Sequence, residues 1–424
     1  MTPAAPLLLT VDQPPEQLLS RLQAAWAEGR WVGLCDPADR ARLASALGSA
    51  ADRRDQGPPP SGPQAAEPQA AVVLGSGGST AARRWCVQPL AHLEASAAAT
   101  AAWLRGEGID PASCLHLDPL PLQHVSGLLP VLRCRCWGAE LRLLPPAWLR
   151  DPTQLAAACP LPTGRPVLLS LVPTQLQRLL ASPEAVAWLR RCTVIWLGGA
   201  ALSAPTAARA RREGLRLAPC YGATETAAMV CALSPARFLA GEAGCGPPLA
   251  DVALRLDPGS GAVEIRTPRL ALGWLEGGRL LPLPRRSGGW WRSGDAGLLQ
   301  PGGLQLLGRL DGAVSSGAET VHPAELEQRL IGAAAAAGLP LEAVLLLGCP
   351  DPEWGERLEA LVRPTPGAEA AELIASLQTV VAGWRPAERP RRWHGCDALA
   401  PSQAGKWERP RWRRWLEERL SAAG

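Results

Sequence analysis

Between residues 70 and 220, short apolar runs alternate with longer segments of helical character, and this alternation limits the choice of fold more than any other feature. The runs AAVVL (70–74), SCLHL (113–117), PVLLSLV (166–172), TVIWLGG (193–199) and LRLAPC (215–220) are apolar enough and short enough for strands. Helical segments fall between them at 89–104, 123–134, 174–191 and 203–214. Such alternation predicts a parallel α/β architecture. From residue 245 the pattern changes. DVALRLDPGSGAVEIRTP (251–268) predicts a β-hairpin, and strand–turn–strand continues through GGLQLLGRL (302–310). Past Asp311 a small α+β unit is predicted, with a helix at 323–337, two strands around CPDPEWGE (349–356) and a helix near 369–382. The expected fold class is therefore α/β. A large N-terminal domain with a β-rich subdomain spans 1–310, and a small α+β C-terminal domain spans 311–424. A length of 424 residues agrees with more than one domain. A Pro/Gly-rich connector is predicted at 57–70.

Charge and targeting signals exclude some function classes. The net charge of +4 is too small to call for nucleic acid on bulk electrostatics. The N-terminus lacks the basic region and long apolar run of a signal peptide. No stretch has the near-20 apolar residues of a membrane span. The 12 Cys are scattered without a C-x-x-C pair, which suits small core residues in a reducing cytoplasm. One bias bears on function. The chain has no Asn, one Tyr and 17 Trp, and Lys406 is the single lysine among 43 Lys plus Arg. This is the mark of GC-rich coding. Where drift runs from Lys to Arg, a surviving lysine is either chance or a site that an Arg fork cannot fill.

Three stretches carry residue types suited to chemistry. In VVLGSGGSTAARRW (72–85) a strand enters a run of small residues, Ser76, Gly77, Gly78, Ser79 and Thr80, followed by Arg83 and Arg84. Backbone N–H groups, hydroxyls and guanidinium groups in that order can cradle phosphate, or the run is a continuation of the connector. In CYGATETAAM (220–229) the only tyrosine, Tyr221, ends a predicted strand and is followed by Gly222, Thr224 and Glu225. Ligands of open α/β sheets bind beyond such strand ends. A Thr hydroxyl and a Glu carboxylate there suit a phosphate and its Mg²⁺, and they equally suit a capping box at a helix start. In the third stretch (290–327), Asp295 is placed in a tight Ser-Gly-Asp turn. Arg309 and Asp311 end a strand, and Gly317, Ala318 and Glu319 precede a Pro-started helix.

In this order and spacing the pieces resemble the adenylate-forming (acyl-CoA synthetase) superfamily, from residue 72 to residue 412. The matching motifs are the phosphate loop at Ser76–Arg84, Tyr-Gly-x-Thr-Glu at Tyr221–Glu225, and Gly-Asp at Gly294 and Asp295. Gly-Arg-x-Asp at Gly308–Asp311, the Gly-Gly-Glu segment at Gly317–Glu319 and Pro-x-x-x-x-Gly-Lys at Pro401–Lys406 complete the set. Within the superfamily, DPLPLQHVSGLLP (118–130) and LGGAALSAP (197–205) look most like the o-succinylbenzoate–CoA ligases. The family loop's Gly-x-Pro-Lys is Ala81, Ala82, Arg83 and Arg84 here, so Arg84 would replace the lysine.

The resemblance implies a cytoplasmic ligase of menaquinone or phylloquinone biosynthesis that uses ATP, Mg²⁺ and coenzyme A. It converts an acid to acyl-AMP and then to the CoA thioester. It implies that Lys406, Glu225 and Thr224 are catalytic, with Glu225 on Mg²⁺. ATP would be held by Ser76 through Thr80, Arg84, Gly199, Tyr221, Gly222, Asp295 and Arg309. His124 and Ser126 would touch the acid, and Asp311 would be the hinge of a mobile C-terminal domain. A different acid is the first alternative. The Arg- and Trp-rich tail from residue 384 suggests a second, a nucleic-acid binder on an inactive scaffold, although Glu388, Asp397, Glu408, Glu417 and Glu418 dilute its charge. Small-molecule partners, no membrane and no nucleic acid are therefore expected.

Overall fold

The computed structural model describes residues 6–48, 70–76, 84–316, 319–351, 354–402 and 407–422. The predicted connector lies outside them up to residue 69, as do Gly77, Gly78, Ser79, Thr80, Gly317, Ala318 and Lys406.

The first 48 residues, for which no element is predicted above, begin a sheet. The elements are β1 (Leu7–Thr10), α1 (Pro15–Ala27), β2 (Trp31–Cys35) and α2 (Arg40–Leu47). β1 pairs in parallel with β2, and β2 with β3 (Ala71–Ser76). β3 then runs antiparallel to β4 (Arg84–Pro89). The strands of this unit are four and five residues long, too short for a periodic signal to stand out.

The second sheet carries most of the predicted alternation. After α3 (Leu90–Gly106) come β5 (Leu115–Asp118), α4 (Val125–Trp137), β6 (Glu140–Leu143), α5 (Pro152–Ala158) and β7 (Val167–Leu171). The helices α6 (Pro173–Leu179) and α7 (Pro183–Leu189) lead to β8 (Val194–Leu197), α8 (Ala204–Arg212), β9 (Leu217–Ala223) and β10 (Ala228–Ala232). Strand order is β10-β9-β8-β7-β5-β6, parallel except for the antiparallel edge strand β10. Both faces are apolar. Leu115, Leu169 and Ile195 feed one core, while Leu168, Val194 and Trp196 feed the other, as the period of two requires. The single helix expected over 174–191 is two. Pro183 starts α7 at its first position and the Ser182 hydroxyl accepts from Ala185 N–H, a start signal that the apolar period masks.

A β-rich region follows. It contains α9 (Pro235–Leu239), β11 (Ala253–Leu256), β12 (Ala262–Arg266), β13 (Gly273–Glu276), β14 (Arg279–Pro282), β15 (Arg285–Arg286), β16 (Trp290–Gln300) and β17 (Gly303–Arg309). β11 and β12 form the predicted hairpin, and β12, β15 and β17 all pair with β16. β13 and β14 instead leave this sheet and extend the first one, with β13 antiparallel to β4. Asp295 is not in a tight turn. Ser293, Gly294 and Asp295 lie inside the continuous strand β16, where Asp295 faces Arg309 of β17.

The C-terminal elements are β18 (Val314–Ser316), β19 (Glu319–Val321), α10 (Pro323–Ala336), β20 (Leu341–Asp351), β21 (Gly355–Pro364), α11 (Ala370–Val381), β22 (Arg392–Gly395) and α12 (Arg409–Ala422). The strands make a separate sheet. One cluster packs α10 and α11 against it, and another packs Trp412 and Leu416 of α12 against Leu345 and Leu347. The whole is a mixed α/β chain, with a large N-terminal part built on three sheets and a smaller α+β C-terminal part. Among the described residues no helix is long and apolar enough to cross a membrane.

Candidate active site

The stretch Tyr221–Thr226 is where the three N-terminal sheets meet. Tyr221 lies in β9 of the second sheet and is buried. Its hydroxyl donates to Oδ2 of Asp295 in the third sheet at 2.6 Å. Arg309 donates to the other oxygen, Oδ1, at 3.4 Å. Three residues singled out separately in the sequence are thus joined through one carboxylate. Burial, with the charge of Asp295 and the bond to it, raises the Tyr221 pKa well above its ordinary value. Gly294 leaves room here for the Arg309 side chain. A Cβ at that position would lie 2.5 Å from the Arg309 guanidinium.

The next residues turn sharply. Thr224–Thr226 form one 3₁₀ turn rather than the start of an α-helix. Ala223 N–H donates to the Thr226 hydroxyl at 2.9 Å, so the turn is capped by Thr226 and not by the Thr224 and Glu225 side chains of the expected capping box. Ala227 and Ala228 take φ of 53° and 71° and return the chain into β10. Gly222 lets the strand double back, since a Cβ there would meet the Ala228 oxygen at 2.1 Å. The turn is clamped from outside. Gln88 donates to Thr224 O at 2.6 Å, Ser96 to Ala227 O at 2.6 Å, and Arg269 to Thr226 O at 2.8 Å. Ala271 N–H donates to Glu225 O at 2.8 Å. Neither Gln88 nor Arg269 belongs to any motif, so sequence reasoning missed both.

Glu225 is 9% exposed. Its Oε1 accepts from the indole N–H of Trp274 at 3.1 Å. Trp274, like Gln88, is not signalled by the sequence, in which Trp is abundant. Arg84 stacks on the face of Trp274, 4.5 Å from its centroid. Arg84 opens β4, and Ser76 ends β3 directly across from it, with its hydroxyl donating to Arg84 O at 3.4 Å. The two ends of the predicted phosphate loop therefore sit beside the Glu225 turn. Glu225 also helps hold the buried Cys86 thiol well above its ordinary pKa, after burial itself. The indole N–H that bonds Glu225 is a donor only and does not compete with a cation, and hard carboxylate oxygens suit Mg²⁺. The residues present fit that ion.

The remaining candidates lie around this centre. Gly199 follows β8 with φ of 82°, beyond the C-terminal end of a parallel strand. His124 is the N-cap of α4, half-buried, and Ser126 is exposed in its first turn. Val125 and Leu128 of that helix share a core with Ala227 and Ala228, which brings the helix start toward the turn. Asp311 falls in a short 3₁₀ turn, Leu310–Gly312, between β17 and β18. The Arg/Trp-rich tail is largely used within the protein. Arg385, Arg391, Arg392 and Arg409 pair with Glu388, Asp351, Glu359 and Glu327, and Trp412 is buried.

The site thus gathers, at the strand ends of an open α/β sheet, where such folds bind ligands, a glycine-bounded turn and a hydrogen-bonded carboxylate. Residues 4–273 match the family described as AMP-binding enzyme, and the chain belongs to that family. A 2-succinylbenzoate–CoA ligase of Enterococcus faecalis is 27% identical over 348 residues, 79% of this chain and 67% of its own length. A feruloyl-CoA synthase of an Amycolatopsis species is 32% identical over 248 residues, 55% of this chain and 49% of its own length, so the chain matches about half of that relative. Among solved structures, wild-type Escherichia coli MenE with a bound analogue of OSB-AMS has 25% identity and a TM-score of 0.70. The match covers 98% of this chain and 88% of that one.

Proposed function

We propose that the chain is an AMP-forming acid–CoA ligase whose acid is 2-succinylbenzoate (o-succinylbenzoate), a step of menaquinone or phylloquinone biosynthesis. The observation that carries the reading is the convergence of Tyr221, Asp295 and Arg309 beside the clamped Glu225 turn, in a chain of the AMP-binding family. The names of the relatives support the acid.

A carboxylate is a poor electrophile because its charge repels nucleophiles and its leaving group is oxide. Attack of its oxygen on the α-phosphorus of ATP expels pyrophosphate and gives the acyl-adenylate. Attack of the CoA thiol on the acyl carbon then expels AMP. The protein's task is to hold anions together and offset their charge. Asp295, fixed by Tyr221 and Arg309, has an acceptor arrangement suited to ribose hydroxyls. Ser76 and Arg84 flank the phosphates, with Gly77, Gly78, Ser79 and Thr80 between them in the sequence. Glu225, with Thr224 preceding it in the chain, would hold Mg²⁺, which when bound offsets phosphate charge. Gly199, Gly222, His124 and Ser126 are assigned to the ATP and acid surfaces on resemblance and on their positions at strand ends and a helix start. Lys406 would contact the acid and the α-phosphate. Residues 1–310 and 311–424 would act as two domains turning about Asp311. ATP, Mg²⁺ and CoA are the small-molecule partners of this reading, and the cytoplasm is its setting.

The test is an AMP-release screen of the purified chain with ATP, Mg²⁺ and CoA against 2-succinylbenzoate, benzoate, ferulate and a medium-chain fatty acid. The expected result is fastest release with 2-succinylbenzoate. Release with ferulate alone would transfer the assignment to an aryl acid of that class, which the likeness to a feruloyl-CoA synthase makes the second reading.

A further inference from the structure

One face of β4 carries Arg84, Cys86 and Gln88, while Trp85 and Val87 enter a core on the other. Trp274 of β13 stands directly opposite Cys86. At one end of the row Arg84 covers the Trp274 ring, and at the other Gln88 grips the Glu225 turn through Thr224 O. Between them the Trp274 N–H bonds Glu225 Oε1.

We propose that Trp274 is a positioning residue that acts through Glu225, fixing one carboxylate oxygen so that the other is aimed at the Mg²⁺ of bound MgATP. The proposal rests on the ligase reading above. Three features argue for it. An indole N–H is a donor only, so it orients a carboxylate without competing for a metal. It is neutral, so unlike Arg or Lys it brings no positive charge of its own to compete with a metal ion. Trp274 itself is held, by its place in the strand pairing and by the Arg84 guanidinium stacked on its face. Metal ligands are commonly set in orientation by such outer partners. Arg84, at the end of the phosphate-loop segment, and Glu225 therefore bear on the same ring.

The test is calorimetric titration of the full chain with ATP, in EDTA and across a series of Mg²⁺ concentrations, for wild type and Trp274→Phe. The phenyl ring keeps the apolar body and the cation–π face but has no donor. Wild type is expected to bind ATP more tightly as Mg²⁺ rises. In Trp274→Phe the Mg²⁺ concentration for half of that gain should rise roughly tenfold, the low end for a hydrogen bond to a charged group. Affinity in EDTA should be unchanged. In a Glu225→Gln background the same substitution should shift nothing further. An unmoved Mg²⁺ midpoint in Trp274→Phe, or an equal loss with and without Mg²⁺, overturns the proposal and leaves the ligase reading standing. A wild type that binds no ATP under any condition overturns both. If Trp274→Phe does not fold, Trp274→Met, which also lacks the donor, carries the same test with the same outcomes.

Discussion

Tyr221 is the only tyrosine of the chain, so its ionisation can be observed alone. Burial, the Asp295 charge and the bond to Asp295 all favour the neutral phenol, which raises its pKa in the folded state. The sign of the linkage follows. A group with a raised folded pKa gives stability that is present below its unfolded value and is lost as pH rises through the folded one. Tyrosinate absorbance is therefore expected to lag well behind that of an unfolded tyrosine, which is half ionised near pH 10, and to appear at higher pH or on unfolding. Asp295→Asn removes the charge and should bring the onset down. Half-ionisation of the wild type near pH 10 would contradict the bond. The sequence makes Tyr221, Asp295 and Arg309 legible one by one, because each stands in a recognisable motif. Their meeting is not legible, because the bond spans 74 residues and joins two sheets. Trp274 and Gln88 give no local signal at all, since one is a common residue here and the other an ordinary strand residue.

The Thr224–Ala228 turn shows how tertiary contacts override local preference. Two alanines, the best helix formers, follow a capping sequence, and a helix start is the natural sequence reading. They adopt positive φ instead, at a cost of order 1–2 kcal/mol per residue. The bonds from Ser96, Gln88 and Arg269 hold them there. Arg269 is the most consequential. Its side chain is fully buried, and it also pairs with Asp251 at 2.7 Å. Arg269→Met would take the Arg269 donor from the Thr226 oxygen and leave Asp251 with the Thr267 hydroxyl at 3.4 Å. Asp251 is partly exposed, so the main loss is the hydrogen bond to the buried Thr226 oxygen, and urea unfolding should show a loss of about 1–3 kcal/mol. A loss under about 1 kcal/mol, the scale of an exposed pair, would mean that Arg269 does not hold the turn. At this scale the strands β5, β7 and β8 were legible because they are continuous apolar runs. The break between α6 and α7 was not, because Ser182 and Pro183 lie within an unbroken apolar period.

For the molecule as a whole, the parallel second sheet follows from the alternation of runs, and the hairpin of β11 and β12 from its turn residues. What the chain order conceals is that β13 and β14 leave the third sheet to complete the first. That rearrangement carries Trp274 to Glu225 and brings three sheets to one short stretch of chain. In the proposed function, this meeting point activates an acid through its adenylate before CoA is needed. Isotope exchange between pyrophosphate and ATP, with Mg²⁺ and 2-succinylbenzoate but no CoA, tests it most directly. Adenylate formation is reversible, so label is expected to enter ATP only when the acid is present. Absence of exchange, together with acid- and CoA-dependent release of ADP and phosphate in place of AMP, would contradict it.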